Sequence, residues 1–241
     1  MSAAVRPGVA MQPESRLVVG IDAGVDSVKV VLLSGGELRY CGVFPEGVDA
    51  VDVVVSRALD QIWEQVGVAP RDVALFAATG ALAEYLPIES RLVPAPLCLA
   101  AGAGVLLPAA RTVVDFGAQK IMAVKCKEGR PTRVATNDRC AAGSGRYLQM
   151  VSHLLEVGLE EMADLAATSR QALSVQSTCA IFAESEIISL IHQRNSAADI
   201  LKGVFISLAE RVYKTVAQVG LEKKVAIVGG AARNKSIIRE L

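Results

Sequence analysis

The sequence predicts an α/β fold made of two related lobes, and three observations carry that expectation. Short β-rich runs alternate with helical patterns along the chain. The order strand, Asp-x-Gly, strand, Gly turn, strand occurs twice: Gly36 follows Asp22 by 14 positions, as Gly129 follows Asp115. Matching offsets in a matching element order read as a duplicated βββ unit. After the second unit the pattern turns helical and closes on one more apolar run. The expected division is a disordered tail over 1–16, an N-terminal lobe over 17–110 and a C-terminal lobe over 111–241.

Met1 to Ser15 has no apolar stretch of signal-peptide type and carries Pro7, Gly8 and Pro13, so it reads as a tail. Leu17–Ile21, Val28–Leu33 and Leu38–Phe44 read as strands, with a turn at Gly35-Gly36. Val48–Val66 reads as a helix, because Val51, Val55, Leu59, Ile62 and Val66 share one face. Val73–Ala78 is a further strand, closed by Thr79-Gly80. The second unit places strands at Thr112–Phe116, Ile121–Cys126 and Thr132–Thr136. Helical patterns follow at Gly145–Val157, Glu161–Ala167, Ala180–His192 and Gly203–Val219, then a strand at Val225–Val228 running into Gly229-Gly230.

Composition removes several function classes. Lys plus Arg is 25 and Asp plus Glu is 25, so bulk charge argues against a nucleic-acid or anionic-membrane binder. Mean hydropathy is +0.40, which directs attention to the uncharged run between Arg91 and Arg111. Pro94, Pro96 and Pro108 interrupt it, so it reads as buried loop and helix, not a membrane span. Five cysteines is an odd count, which favours thiol or metal chemistry in a reducing, cytoplasmic compartment over a disulfide scaffold.

The Asp-x-Gly turns are the first candidate site. Glycine after a strand lets backbone N–H groups approach phosphate oxygens, and an aspartate there can hold hydrated Mg²⁺. One such turn alone is better read as a plain hairpin. Two turns, one per lobe, together with Gly229-Gly230 after the last strand, favour nucleotide binding. Neither a Walker A sequence nor a Gly-x-Gly-x-x-Gly is present.

Cys140 and Cys179 each precede a helical pattern, where the helix dipole favours thiolate. The same field suits an anionic iron–sulfur cluster, and two cysteines from each of two subunits fill the four positions of a [4Fe–4S] cluster. Spacing alone nevertheless favours redox or inert thiols over metal ligands. Cys41, Cys98 and Cys126 read as buried structural cysteines. His153 and His192 read as helix-surface or capping residues, Glu184 and Glu186 as acids suited to the first turns of a helix, and Asn137 and Asp138 as caps.

Gly20-Ile-Asp-Ala-Gly, Asp115-Phe-Gly-Ala-Gln, Asn137-Asp-Arg-Cys-Ala-Ala-Gly-Ser-Gly-Arg, Ser177-Thr-Cys-Ala-Ile-Phe-Ala-Glu-Ser-Glu and Gly229-Gly-Ala-Ala-Arg-Asn occur in that order. Together they resemble the activator ATPases of 2-hydroxyacyl-CoA dehydratases, the family that also holds the ATP-binding subunits of benzoyl-CoA reductase. The resemblance implies an actin/hexokinase-like (ribonuclease H-like) ATPase with duplicated lobes, and a dimer, with a second copy or a paralogous ATPase subunit, that shares one [4Fe–4S] cluster. It implies ATP-driven transfer of a low-potential electron from ferredoxin or flavodoxin to an acyl-CoA dehydratase or reductase. Carried over by residue, it assigns Mg²⁺ and water positioning to Asp22 and Asp115 with Gln119. Phosphate contact falls to Gly24, Val25, Asp26, Ser27, Lys29 and Gly117, nucleoside contact to Gly229, Gly230 and Asn234, and cluster ligation to Cys140 and Cys179.

The chain departs from the family pattern in places. The first loop usually reads Gly-Ser-Thr-x-x-Lys; here it is Gly24-Val25-Asp26-Ser27-Val28-Lys29. Ala118 stands where glycine is usual and Lys120 where aspartate is usual. There is no Tyr-Gly-Arg after Thr79-Gly80 and no Glu/His pair near Cys98, and the pattern normally continues with a short segment after the position of Leu241. Two other expectations stand beside the first: a partner subunit that holds half the cluster without hydrolysing nucleotide, and a small-molecule kinase of the same fold.

Overall fold

A computed structural model describes residues 4–5, 16–45, 47, 49–137, 145–175 and 180–241. The chain divides into two compact units, Met1–Cys98 and Leu99–Leu241. The division falls inside a helix, upstream of the 110/111 boundary drawn from the sequence.

In the first unit, β2 (Leu17–Ala23), β3 (Ser27–Ser34) and β4 (Glu37–Pro45) form an antiparallel meander. Side chains alternate across it, so Leu17, Val19, Ile21, Val28, Val30 and Leu32 share one buried face. β1 (Ala4–Val5), within the segment read as a tail, pairs antiparallel with Tyr40 and Cys41 on the edge of β4. The helix α1 (Val51–Val66) buries Val51, Val54, Val55, Ala58, Leu59 and Ile62, an i, i+3, i+4 stripe laid on the sheet. Gly67 closes it at φ +72°, its N–H donating to Trp63 O. β5 (Val73–Thr79) then runs parallel to β2, and β6 (Arg91–Leu92) parallel to β5, giving the order β1-β4-β3-β2-β5-β6.

The second unit repeats the plan. β7 (Thr112–Phe116), β8 (Ile121–Lys127) and β9 (Arg130–Thr136) are an antiparallel meander, and β10 (Val225–Val228) pairs parallel with β7. Thus β7, β8 and β9 repeat β2, β3 and β4, as the duplicated spacing predicts, and β10 repeats the parallel β5. The difference lies between the third and fourth strands. Among the described residues of the first unit, α1 and a short 3-10 turn at Pro70–Asp72 fill that interval. The second inserts α3 (Gly145–Leu155), α4 (Met162–Ala166), α5 (Ala180–His192) and α6 (Ala197–Val219). α6 is the spine of this core: Leu201, Val204, Phe205, Leu208 and Val212 pack with Val114, Phe116 and Ile121 of the sheet and Tyr147, Leu148 and Val151 of α3. A short α7 (Lys235–Glu240) ends the chain.

Three expectations need correction. The last long helix begins at Ala197, not Gly203, because the Ser196 hydroxyl accepts the Asp199 N–H and caps it. The run between Arg91 and Arg111 forms α2 (Ala95–Leu106), of which only Ala100 is buried, while Leu97, Val105 and Leu106 are exposed. It carries no charged residue, so the pattern gave no way to tell an outward face. Asn137 does not serve as a helix cap. Its Oδ1 accepts the Ile121 N–H at 2.7 Å and its own N–H donates to Ile121 O, which extends the β8–β9 ladder. Among the described residues no helix is long and apolar enough to cross a membrane.

Candidate nucleotide site and cysteine approaches

Each unit ends the first strand of its meander, β2 or β7, on an Asp-x-Gly turn closed in the same way. In the first, Asp22 is the second-last residue of β2, opposite Lys29 on β3 and beside Thr79 on β5. The Gly24 N–H donates to Ser27 O at 3.2 Å and closes the turn. The Lys29 ammonium reaches Asp22 Oδ2 at 3.4 Å and also donates to Ser27 O at 3.2 Å. A Cβ on residue 24 would come 3.1 Å from the Lys29 nitrogen. The turn is therefore a narrow glycine floor with a cation at its edge. The Thr79 hydroxyl is buried beside Asp22 and has no hydrogen-bond partner among the described residues.

In the second unit Asp115 is again the second-last residue of its strand, and the Gly117 N–H donates to Lys120 O at 3.0 Å. The residue opposite Asp115 is Met122, where the first turn has Lys29. Among the described residues the N–H groups of Ala118 and Gln119 have no acceptor in the chain. Gln119 and Lys120 are exposed. An exposed turn with free amide donors, a strand-end carboxylate and no side chain at 117 fits a phosphate with its magnesium ion.

The last strand of each repeat ends on a glycine, Gly80 or Gly229, that packs on the Asp-x-Gly carboxylate of its own unit, a pairing the sequence pattern does not show. Gly80 follows β5 at φ +101°, and a Cβ there would stand 2.7 Å from Asp22 Oδ1; Gly229 follows β10 at φ +94°, and a Cβ there would stand 2.7 Å from Asp115 Oδ1. Each would also overlap a backbone carbonyl, of Ala23 and Phe116 respectively. Gly230 differs: it has helical φ and ψ, and a Cβ there would meet no atom within 4 Å. Asn234 uses its side-chain oxygen to cap α7, accepting from Ser236 N–H at 3.0 Å and Ile237 N–H at 3.2 Å.

Cys140 and Cys179 lie outside the described residues, as do Asp138 and the rest of 138–144 and 176–179. Their approaches are described. Downstream of Cys140, α3 starts at Gly145, and the N–H groups of Gly145 and Arg146 donate to Gly117 O (3.0 Å) and Ala118 O (2.9 Å). Upstream of Cys179, Asp199 of α6 gathers the chain: its Oδ1 accepts from the Arg170 N–H (2.9 Å), the Gln171 N–H (3.1 Å) and the Ser169 hydroxyl (2.9 Å). The Gln171 N–H first, then the Ser196 and Ser169 hydroxyls and the Arg170 N–H, hold the Asp199 carboxyl down at about 2. α5 begins at Ala180, directly after Cys179. Of the other thiols, Cys126 is buried and burial pushes its pKa up, while Cys41 and Cys98 are half-buried. His153 and His192 are exposed in the last turns of α3 and α5.

Comparison with known proteins decides the lineage. The BadF/BadG/BcrA/BcrD ATPase family matches residues 19–241. The chain belongs to this family. It is 35% identical over 223 residues to the activator of lactoyl-CoA dehydratase of Anaerotignum propionicum, covering 92% of this chain and 85% of that protein. The crystal structure of (R)-2-hydroxyglutaryl-CoA dehydratase component A of Acidaminococcus fermentans superposes with a TM-score of 0.87 at 32% identity, over 94% of this chain and 88% of the other. The activator of 2-hydroxyisocaproyl-CoA dehydratase of Clostridium difficile, solved with bound ADPNP, gives 0.84 at 30% identity, over 93% and 84%. The fold of this BadF/BadG/BcrA/BcrD family member is accordingly the actin/hexokinase-like ATPase fold.

Proposed function

We propose that this family member is an ATP-dependent electron-delivery subunit that activates an acyl-CoA dehydratase or reductase. The observation that carries the reading is that one unit holds both the Asp115 turn and the chain segments leading to Cys140 and Cys179. In the second unit, phosphate would meet the free N–H groups of Ala118 and Gln119, and Asp115, with Gln119, would take the Mg²⁺ and water-positioning role. In the first unit, the Lys29 ammonium would meet phosphate and Asp22 would take the Mg²⁺ and water-positioning role. The work of the protein in such a reaction is positioning and charge stabilisation. Val25, Asp26 and Ser27 complete the first turn, and Gly229, Gly230 and Asn234 would face the nucleoside.

Cys140 and Cys179 would ligate a [4Fe–4S] cluster, which fits their donor chemistry: two thiolates per chain, four from a dimer. The cluster, when bound, supplies one low-potential electron. Ferredoxin or flavodoxin would donate it, and the dehydratase or reductase would accept it. A second reading, a subunit that binds nucleotide without hydrolysis beside an active paralogue, draws on the extra carboxylate of Asp26 and on Lys120.

Anaerobic reconstitution tests the proposal. Iron and sulfide should bind at about four of each per two chains, and a reduced donor should pass electrons to a 2-hydroxyacyl-CoA dehydratase only while Mg·ATP is consumed. Phosphate release by this chain alone separates the first reading from the second. A chain that takes up no iron under these conditions overturns both.

A further inference from the structure

We propose that Thr79 is a further residue of the first nucleotide turn, its hydroxyl bonding a water molecule of the hydrated magnesium ion beside Asp22. The inference rests on the proposed nucleotide site and adds a third side chain to Asp22 and Lys29.

The two repeats allow a comparison at one position. Thr79 ends β5 beside Asp22, and Val228 ends β10 beside Asp115, in the same parallel register. Each is followed by a left-handed glycine, Gly80 or Gly229, at which a Cβ would stand 2.7 Å from the carboxylate. Threonine and valine share a β-branched shape and differ by a hydroxyl in place of a methyl. The second unit builds this crossing with valine, so the fold does not require a hydroxyl there.

For the chain alone the hydroxyl is a burden. Thr79 Oγ1 is buried and has no hydrogen-bond partner among the described residues. A buried polar atom without a partner gives up its water and gains nothing in return. Such an atom, kept beside a strand-end carboxylate in one repeat and absent from the other, marks a ligand site.

The chemistry of the three side chains selects the ligand. Mg²⁺ keeps several of its waters and is held through one or two carboxylates. Its waters need acceptors, which the Asp22 carboxylate and the Thr79 hydroxyl supply. The Lys29 ammonium donates and accepts nothing, so it suits phosphate oxygens instead. The Asp22 side chain is 45% exposed and Thr79 is half-buried. Rotation about the Thr79 Cα–Cβ bond, a fast side-chain motion, turns the hydroxyl toward the bound water.

Calorimetry of ADPNP binding to the intact chain, with Mg²⁺ and with EDTA, tests the assignment together with thermal melting of the nucleotide-free chain. Thr79→Val should raise the melting temperature by about 2–4 °C, because it removes a buried unpaired hydroxyl. The same variant should bind Mg·ADPNP about 2–10-fold more weakly, the worth of one hydrogen bond, and bind ADPNP in EDTA as the unsubstituted chain does. Thr79→Ser keeps the hydroxyl and should keep the magnesium-dependent affinity. An unchanged or lower melting temperature in Thr79→Val would show that the hydroxyl serves the fold, which overturns the assignment. Undiminished Mg·ADPNP affinity in Thr79→Val, or an equal loss with and without magnesium, also overturns it and leaves the proposed function standing. No nucleotide binding by the unsubstituted chain overturns both.

Discussion

Gly229 packs so closely on Asp115 that a Cβ at 229 would lie 2.7 Å from Asp115 Oδ1. Gly80 bears the same relation to Asp22 in the other unit, at the same distance. The parallel fourth strand of each repeat thus delivers a left-handed glycine onto the carboxylate that ends the first strand. Bare backbone therefore lies against one side of each carboxylate.

Gly229→Ala therefore carries two penalties, a φ of +94° and a collision with Phe116 O. Strained φ alone costs about 1–3 kcal/mol. Thermal melting should show a clear loss of stability, and calorimetry a loss of ATP affinity of at least about tenfold, which corresponds to about 1.4 kcal/mol. Gly230→Ala, at helical dihedrals with open space around it, should melt within about 0.5 kcal/mol of the parent, as surface substitutions do. Equal behaviour of the two variants would show that the contact on Asp115 is unimportant.

The two turns differ in one cross-strand partner, Lys29 opposite Asp22 and Met122 opposite Asp115. The Lys29–Asp22 pair is more than a third exposed on both sides, so its contribution to folding is about 0–1 kcal/mol. Lys29→Met should leave the melting temperature nearly unchanged and raise the KM for ATP, because in the proposed function the lost charge would face phosphate. Asp115→Ala should instead lower kcat for Mg-dependent hydrolysis by about 10²-fold or more, as removal of a group that stabilises the transition state does, with the circular dichroism spectrum retained. An unchanged KM in the lysine variant would place the phosphates away from this turn.

The duplicated sheet was legible because its two signals are local: side-chain alternation and glycine turns at a repeated offset. The two Asp-x-Gly turns were legible for the same reason. The start of α6 was missed because Ala197-Ala198-Asp199 lacks the i+4 apolar row, although Ser196 followed by Asp199 is a capping signal. α2 was misjudged because an uncharged helix does not show which side meets water. Gly80, Asn137 and Gly145 act across strands and loops far apart in sequence, and pattern reading cannot supply such pairings.

The cysteines divide by environment. Cys126 is buried in β8 with its thiol pKa raised, a packing role. Cys126→Ser should lower the melting temperature while iron content after anaerobic reconstitution stays at the parental level. Cys41→Ser and Cys98→Ser should also keep full iron. Cys140→Ser or Cys179→Ser should abolish iron binding with little change in melting of the iron-free chain. Full iron in Cys179→Ser would remove the shared-ligand assignment.

The approach to Cys179 depends on Asp199 and Gly203 of α6. Asp199 Oδ1 accepts from Ser169, Arg170 and Gln171, and a Cβ at 203 would overlap Leu173 O and stand 3.3 Å from Val175 Cγ2. The segment entering Cys179 is thus tied to α6 at one point and fitted against its bare backbone at another. The Asp199 pKa is lowered from 3.8 to about 2 in the folded chain. The unfolded chain then binds more protons between those values, so stability rises with pH in that window. The contribution is complete above the unfolded value and disappears as pH falls through about 2. Asp199→Asn should flatten the acid limb of the melting-temperature profile below about pH 5 and leave the profile unchanged in shape near pH 7. Gly203→Ala should displace 169–175 at every pH, lowering iron uptake although both cysteines remain. Parental iron uptake together with a parental melting temperature in Gly203→Ala would show that the entry to Cys179 does not depend on this crossing.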